Sequence, residues 1–376
     1  MKIQFSKPFF TKAEINSVMN AMKSKNIGGD GPIGRKSKVL MQDLFGIKCV
    51  LLTTSCTHAL EMALMALKIK EGDEVLLPSF SFVSAANAIV RLKAIPIFVD
   101  IDDDSLNIDP IQIQKAVSKK TKAVICVHYA GVGCDMTKIM KIAQNYRLYV
   151  IEDAAQALGS TYKGRYLGSI GDIGCYSFHE TKNITCGEGG AFLTNSDDIA
   201  KKAEIIREKG TDRSAFLRGE IDKYTWRDIG SSYIISDLLA AVLFEQLHKM
   251  EYIIKKRRQI GLKYEEGLKK LEENGAIMLP NFPKKGFNWH LFYFRVKDQK
   301  TRDCALKKLR QKGIEATFHF VPLHLSPYVK KKYGYRTGDL PVTEKASKTL
   351  IRLPIYPELT YQEQKYIINC INKIFK

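Results

Sequence analysis

The chain has 376 residues and is 45% hydrophobic, enough for one large domain with a buried core and a smaller second domain. No run of about 18 apolar residues occurs and the N-terminus has no apolar signal region, so we predict a cytoplasmic protein without a membrane span. The formal net charge of +19 fits nucleic-acid binding, attraction of an anionic substrate, or lysine-rich solvated helix faces, and the scattered lysines favour the last.

The cysteines and histidines do not show the spacing of a metal site. Eight cysteines include no Cys-x-x-Cys pair, and the seven histidines form no ligand pair at helical spacing. We therefore predict reduced thiols and no structural metal.

Short apolar runs alternate with helical stretches from about residue 50 to 200. Strands that are apolar throughout and separated by helices predict an α/β fold, with a mostly parallel central sheet covered by helices on both faces. The predicted strands are 50–54, 74–78, 95–100, 123–128 and 148–152, and the predicted helices are 57–68, 81–91, 110–118 and 136–146.

After about residue 236 the pattern changes to a long helix over 236–271, with Gly261 as a candidate break, followed by a smaller α+β unit. In that unit we predict strands 291–296 and 316–320 and helices 302–312, 343–350 and 361–375. The predicted organisation is an N-terminal segment packing on the small domain (1–25), a large cofactor-binding domain (26–240), and a linking helix with the small C-terminal domain (241–376).

Polar residues follow the predicted strands at 54–57, 78–82, 153–156 and 177–182. Ligands in parallel sheets bind at the carboxyl ends of the strands, so we expect these segments to form one site.

A single lysine, Lys182, stands between a strand end and a glycine-rich loop, and Asp153 ends another apolar strand. A pyridoxal-phosphate enzyme needs this pair, because the lysine forms the Schiff base and the carboxylate keeps the pyridine nitrogen protonated. Gln156 is placed to reach the ring hydroxyl. A capping carboxylate and a solvated surface lysine are the alternative interpretations.

Residues 55–57 follow a strand and open a helix, which suits a phosphate, and Ser177 could add a hydroxyl there. The alternative is an ordinary helix cap by a hydroxyl of this segment.

Phe82 either stacks on the pyridine ring or packs in the core. His179 is either a hydrogen-bond donor beside the site or a core histidine. The loop 224–233, with Arg227, is either a packed connection or a ligand-touching loop at a subunit boundary.

With these motifs in view, the chain resembles the DegT/DnrJ/EryC1/StrS sugar aminotransferases, which have the fold-type I architecture of pyridoxal-phosphate enzymes. The segments that carry the resemblance are 27–34, 54–60, 78–82, 151–156, 177–183, 187–190 and 322–324.

The resemblance implies that Lys182 carries the cofactor, that Asp153 pairs with its ring nitrogen, that Gln156 lies near its ring hydroxyl, and that Phe82 stacks on the ring. Arg227 and His324 would contact the substrate. The cofactor phosphate would be bound by Cys56, Thr57 and Ser177.

Members of the family are homodimers with sites shared between subunits. Many carry an asparagine that reaches the neighbouring cofactor phosphate; here the matching position is Ser232, within Gly230-Ser-Ser232. The run 222–233 is similar to the enterobacterial-common-antigen type of transaminase, which makes dTDP-4-amino-4,6-dideoxygalactose. Relatives with histidine in place of the lysine are dehydratases, whereas this chain keeps Lys182.

The predicted function is therefore glutamate-dependent amination of a nucleotide-linked 4-keto-6-deoxyhexose for surface polysaccharide synthesis. Two alternatives stay open: amination of a 3-ketosugar nucleotide, and a basic regulatory or nucleic-acid-binding protein that has kept this fold.

Overall fold

The structure is a computed structural model, and it describes residues 2–283 and 285–376. Its strands, in chain order, are β1 (Cys49–Thr53), β2 (Glu74–Pro78), β3 (Ile95–Val99), β4 (Thr121–Val127), β5 (Tyr149–Asp153), β6 (Thr161–Tyr162), β7 (Arg165–Tyr166), β8 (Ile173–Ser177), β9 (Gly190–Thr194), β10 (Phe292–Arg295) and β11 (Leu350–Leu353). Its α-helices are α1 (Lys12–Ser24), α2 (Pro32–Phe45), α3 (Cys56–Ala66), α4 (Val83–Arg91), α5 (Pro110–Ala116), α6 (Met136–Tyr146), α7 (Asp197–Arg207), α8 (Arg213–Leu217), α9 (Asp237–His248), α10 (Met250–Glu273), α11 (Gln299–Gln311), α12 (Pro327–Tyr333), α13 (Pro341–Thr349) and α14 (Tyr361–Phe375).

A seven-stranded sheet with the order β1-β9-β8-β5-β4-β2-β3 forms the centre of the large domain. Its strands run parallel except β9, which pairs antiparallel with both of its neighbours. The strands are almost entirely buried because helices cover both faces, as expected for a parallel sheet. The predicted fold class is confirmed, and the elements predicted between residues 50 and 153 are present with small shifts of their ends.

The predicted long helix over 236–271 is broken, but not at Gly261. Helix α9 ends at His248 and α10 begins at Met250, because the backbone of Lys249 leaves the helical region. The ammonium of Lys249 is held by Thr11 and Glu14 of the N-terminal segment, each at 2.6 Å. Gly261 lies inside α10, where a β-carbon would stand 1.9 Å from a ring carbon of Trp289. The glycine therefore permits close packing and does not break the helix.

The predicted strand over 316–320 is wrong. Only Thr317 forms a bridge there, to Arg352, and β10 pairs instead with β11, which the sequence pattern did not predict. Phe320 has a φ of 46°, in the left-handed region, and this conformation ends any extended pairing.

The N-terminal segment contacts two parts of the molecule. Ile3 is fully buried and forms a parallel bridge with Ile314 of the small C-terminal unit, whereas α1 packs against α9. The domain division 1–25, 26–240 and 241–376 stays a prediction; Met1 and Lys284 lie outside the described residues. No helix within 2–283 and 285–376 combines the length and apolar character that a membrane crossing requires.

Candidate active site

A cavity of about 490 Å³ lies at the carboxyl ends of the central strands. Strand ends and the loops after them supply one wall, and residues of α10, β11 and the segments around them supply the other. The predicted site residues among its lining are Cys56, Thr57, Phe82, Asp153, Gln156, Ser177 and Lys182. The topology thus brings together residues from four separate loops of the large domain.

Lys182 stands in the loop after β8, where its backbone N–H donates to the carbonyl of His179 at 2.9 Å. Burial lowers the pKa of the Lys182 amine. The nearby Cys56 and Asp153 oppose that effect, and Arg352 adds to it. Burial and a neighbouring cation both favour the neutral amine, which is the form that can act as a nucleophile or base.

Asp153 ends β5 and is only 7% exposed. One of its carboxylate oxygens accepts the backbone N–H of Ala155 at 3.1 Å. Burial raises the pKa of Asp153, and the Ala155 N–H and Lys182 only partly counter this. A buried carboxylate with so few donors requires a further partner before it can stay ionised.

A buried pair behind Asp153 was not identified from the sequence. His128 Nε2 lies 2.8 Å from a carboxylate oxygen of Glu152, and both side chains are fully buried. The Glu152 carboxylate also accepts backbone N–H groups from the turn that precedes β8, donated by Gly168, Ile170 and Gly171. These bonds fix the end of β5, and with it the direction of Asp153. The one sequence signal was a charged residue inside an apolar strand.

Gln156 is 8% exposed, and its side-chain oxygen accepts the backbone N–H of Ala130 at 2.7 Å. Because that oxygen is already engaged, the amide nitrogen is the group left to meet a ligand oxygen. This hydrogen bond holds the Gln156 side chain in the same cavity lining that contains Asp153.

The N-terminus of α3 opens onto the cavity. Ser55 is the N-cap, and its hydroxyl accepts the backbone N–H of His58 at 3.1 Å. The Thr57 hydroxyl lies 2.7 Å from that of Ser84. Gly190 on β9 packs directly beneath, where a β-carbon would stand 2.4 Å from the backbone nitrogen of Cys56. Capping by Ser55 and an anion-binding role for the following residues are thus compatible in one structure.

Phe82 is 63% exposed and lines the cavity, whereas the neighbouring Phe80 is buried in the core. Core packing is therefore the role of Phe80, and Phe82 has a free ring face that a planar ligand could stack on. His179 is also at the cavity, near Glu188, and is not a core histidine.

Three predicted residues lie away from the cavity lining that the described residues form. Arg227 is exposed and pairs with Asp212, and Ser232 is exposed on the same surface loop. His324 is fully buried and hydrogen-bonded to Ser79 at 2.7 Å, so the structure gives its predicted substrate contact no support.

The C-terminal part contributes lining residues that sequence reasoning missed. They include Arg257 on α10, His290, His319, and Arg352 on β11. Burial lowers the pKa of both histidines well below the ordinary range, and the cations around them, Lys182 among them, act in the same direction. The only sequence signal was Arg352 itself, an arginine between apolar residues of a short strand.

Comparison with known proteins gives a consistent result. The model of the DegT/DnrJ/EryC1/StrS aminotransferase family matches residues 9–372. The uncharacterized protein MJ1066 of Methanocaldococcus jannaschii is 39% identical, over 98% of this chain and 96% of that protein. The spore coat polysaccharide biosynthesis protein SpsC of Bacillus subtilis is 34% identical, over 100% of this chain and 97% of that protein.

Solved structures of the sugar aminotransferase Spr1654 from Streptococcus pneumoniae, itself described as putative, superpose over the whole chain. Its PLP form has a TM-score of 0.91 at 25% identity and covers 100% of both chains. Its PMP form has a TM-score of 0.92 at 26% identity, covering 100% of this chain and 98% of that one. Pyridoxal phosphate is thus the cofactor of this aminotransferase family. The described cavity fits it in two respects. Burial raises the pKa of Asp153, and the N–H of a protonated ring nitrogen would be a hydrogen-bond donor that lets this carboxylate stay ionised. Burial lowers the pKa of the Lys182 amine, which favours its neutral form.

Proposed function

Because this chain belongs to the DegT/DnrJ/EryC1/StrS aminotransferase family, whose members are pyridoxal-phosphate-dependent sugar aminotransferases, we propose that it aminates a nucleotide-linked 4-keto-6-deoxyhexose. The proposed donor is L-glutamate, which leaves as 2-oxoglutarate. The proposed acceptor is dTDP-4-keto-6-deoxy-D-glucose, and the product is dTDP-4-amino-4,6-dideoxy-D-galactose. Support for this sugar comes from the run 222–233, and support for surface polysaccharide synthesis comes from the name of SpsC.

The observation that carries the proposal is the placement of Lys182 and Asp153 in one cavity, where burial shifts their pKa values in opposite directions. When bound, pyridoxal phosphate supplies an electron sink for the bonds at the donor's α-carbon. Asp153 would hold a proton on the ring nitrogen through its carboxylate. Lys182 would bind the cofactor covalently and then, as a free amine, move a proton at the donor's α-carbon. One positioned acid–base group contributes on the order of 10²–10⁴ in rate.

The other lining residues would position the cofactor. The N-terminus of α3, with Cys56 and Thr57, and the hydroxyl of Ser177 are placed for its phosphate. Phe82 would cover one ring face, and the amide nitrogen of Gln156 would meet the ring hydroxyl. Fixing the ring at both ends keeps the reacting carbon within reach of Lys182, which is the main benefit of such positioning.

A homodimer with shared sites is part of the proposal. Arg227 and Ser232 lie on an exposed loop, together with Trp226 and Ile229, which are 77% and 72% exposed. Large apolar side chains with such exposure indicate an interaction surface. If a second copy of the chain covers this loop, Arg227 and Ser232 of the first copy would lie near the cavity of the second.

The test is an assay of the purified holoenzyme with L-glutamate and a panel of 4-keto and 3-keto sugar nucleotides, with dTDP, UDP and GDP carriers. We expect 2-oxoglutarate to form only with a 4-keto-6-deoxyhexose, and NMR of the product to place the new amine on C4. Amination at C3 would establish the 3-ketosugar alternative. No turnover with any ketosugar would overturn the proposal.

A further inference from the structure

Three segments of the chain meet at one buried side chain, that of Asn288. Its amide nitrogen donates to the backbone carbonyl of Gln156 at 2.9 Å and to that of Leu158 at 3.0 Å. The backbone N–H of Asn288 donates to the hydroxyl of Ser160 at 3.0 Å. Because Asn288 is only 1% exposed, these bonds are shielded from water. They fasten the loop that follows β5 to the segment that precedes β10.

The loop that follows β8 is fastened to the same segment through Asn183, the residue after Lys182. The amide nitrogen of Asn183 donates to the backbone carbonyl of Asn288 at 2.9 Å. The amide oxygen of Asn183 lies 3.1 Å from Nδ1 of His290. Since the amide nitrogen is engaged with Asn288, the oxygen faces the ring, and Nδ1 of His290 is assigned as the donor. Both polar atoms of the Asn183 side chain are therefore bonded to one segment.

The backbone of that segment is strained at Trp289. This residue has a φ of 54°, in the left-handed region that a large aromatic residue rarely adopts. The carbonyls of Trp289 and His290 accept hydrogen bonds from the buried guanidinium of Arg257 at 2.9 and 2.6 Å, and the Trp289 ring packs against Gly261 of α10. Strain of this kind persists only where surrounding contacts hold it, and it is concentrated at functional sites. The contacts of the segment thus fix the place of Asn288.

A glycine allows the turn after β4 to join this cluster. Gly131 has a φ of 91°, and a β-carbon there would overlap the amide oxygen of Asn288. The neighbouring Ala130 donates its backbone N–H to the side-chain oxygen of Gln156 at 2.7 Å. The amide oxygen of Asn288 accepts the backbone N–H of His290 at 3.0 Å. Every polar group of Asn288 is thus bonded within the protein, so this residue is suited to hold segments together and not to bind a ligand.

We propose that Asn183 and Asn288 are positioning residues for Lys182. They set its place relative to the loop after β5, which carries Asp153 and Gln156. This inference rests on the proposed function, in which Lys182 binds the cofactor covalently and that loop contacts the cofactor ring. The link runs from the carbonyls of the loop through Asn288 to Asn183, whose backbone continues that of Lys182. A misplacement of about 1 Å at a reacting group can lower a rate by about 10²-fold.

A purely structural role of this cluster would have a different consequence. A general loosening of the fold would weaken every mode of cofactor binding, because the residues placed for the phosphate and the ring lie in the same domain. Loosening of the link alone would leave those contacts intact and would move the Lys182 amine. Non-covalent binding and covalent attachment of the cofactor therefore separate the two roles.

The experiment compares Asn183→Ala, Asn288→Ala and the double variant with the wild-type full-length protein, and Asn145→Ala, exposed on α6, is the matched control. Calorimetry on the cofactor-free protein gives the dissociation constant of 4′-deoxypyridoxine 5′-phosphate, in which a methyl group replaces the aldehyde. The growth of yellow absorbance gives the rate at which pyridoxal phosphate becomes attached. Steady-state kinetics of each holoenzyme give kcat and KM for L-glutamate, and thermal melts verify that each variant is folded.

For Asn183→Ala we expect about 10–100-fold slower attachment of pyridoxal phosphate and a similar fall in kcat, because the amine is misplaced. The dissociation constant of the deoxy analogue and the KM for glutamate should stay unchanged. Asn288→Ala should show the same pattern. The double variant should lose less than the product of the two single losses, because the two bonds act in series along one link. Asn145→Ala should behave as wild type.

Equal rates of attachment in all variants would overturn the inference. So would binding of the deoxy analogue that weakens in step with attachment, since this is the result of a general loss of structure. If melts show that Asn183→Ala is unfolded, Asn183→Ser replaces it, because serine keeps a polar group in the buried site but is too short to reach both partners. The proposed function fails by a different result, namely a wild-type protein that attaches the cofactor but aminates no ketosugar.

Discussion

Lys182 and Asp153 are ionisable groups whose pKa values burial moves in opposite directions. Burial disfavours the charged form of each, so the lysine loses basicity and the aspartate gains it. A cationic ring nitrogen beside Asp153 would reverse the second effect by supplying an opposite charge. The two residues are thus arranged for a ligand that restores the ionisation of one and bonds covalently to the other.

Replacement of the reactive amine gives the most direct test at this scale. We expect Lys182→Ala to lose activity by at least about 10³-fold, because both the covalent link and the positioned base are removed. The wild-type protein should be yellow and should lose this colour with borohydride. The variant should show neither the colour nor the change. Lys307→Ala, on the exposed face of α11, is the matched control and should keep both. Activity near wild type in Lys182→Ala would exclude its assigned role.

Asp153→Asn should still bind the cofactor but lose most activity, since an amide does not hold the ring nitrogen protonated. Absorbance spectra of the loaded protein and a glutamate assay measure the two properties. Asp198→Asn, on the exposed surface of α7, provides the comparison. Normal turnover in Asp153→Asn would show that this carboxylate is not the partner of the ring.

The same substitution should stabilise the cofactor-free protein. Because folding raises the pKa of Asp153, its proton is bound more tightly in the folded state, and this contribution is present at low pH and lost as pH rises through the raised pKa. Near neutral pH, Asp153→Asn should therefore unfold at a higher temperature than the wild type, because a neutral amide costs less to bury than an ionised carboxylate. The advantage should shrink as pH falls through the raised pKa of Asp153, and it should be largely gone below about pH 4, where the carboxyl is protonated in both the folded and the unfolded state. A lower melting temperature at neutral pH would contradict this account.

At the scale of elements, the site depends on close packing that only glycine allows. Gly190 lets β9 lie against the first turn of α3, and Gly261 lets α10 lie against Trp289. The first contact sets the height of the α3 N-terminus above the sheet. The second contact joins α10 to the segment of Trp289 and His290, whose backbone carbonyls accept hydrogen bonds from Arg257.

Gly261→Ala tests the second contact. In an exposed helix this change would stabilise by up to about 1 kcal/mol. Here the new β-carbon would stand 1.9 Å from a ring carbon of Trp289, so we expect a loss of about 1–3 kcal/mol from overpacking. Chemical denaturation measures the change. Glu266→Ala, exposed on the same helix, should lose nothing, and a stabilised Gly261→Ala would show that the packing adapts.

At the scale of the whole molecule, the exposed loop around Trp226 and Ile229 is the surface we assign to a second copy. Ile229→Asp should weaken self-association, because it places a charge in an apolar contact, and light scattering over a concentration series should show more monomer. Ile111→Asp, also at an exposed isoleucine but on α5, should leave the assembly unchanged. Equal effects of both variants would remove this loop from the interface.

The sequence alone predicted the mostly parallel sheet, which is confirmed, and it predicted that Lys182, Asp153 and Gln156 belong to one site; the three residues line one cavity. Apolar strands separated by helices allow few arrangements, and parallel strands bring their carboxyl ends to one edge. Local pattern could not predict β11, the break at Lys249 or the burial of His324, because each depends on contacts with residues distant in the chain.

Only the tertiary structure shows which residues form the wall of the cavity that faces the strand ends. In the sequence, nothing distinguishes Arg352 from the other basic residues of a chain with a net charge of +19. The structure shows that Arg352 packs beside Phe5 and that its Nε is buried without an acceptor among the described residues. The reason is physical: backbone hydrogen bonding and side-chain periodicity act between near neighbours, whereas desolvation of a charge depends on everything that surrounds it.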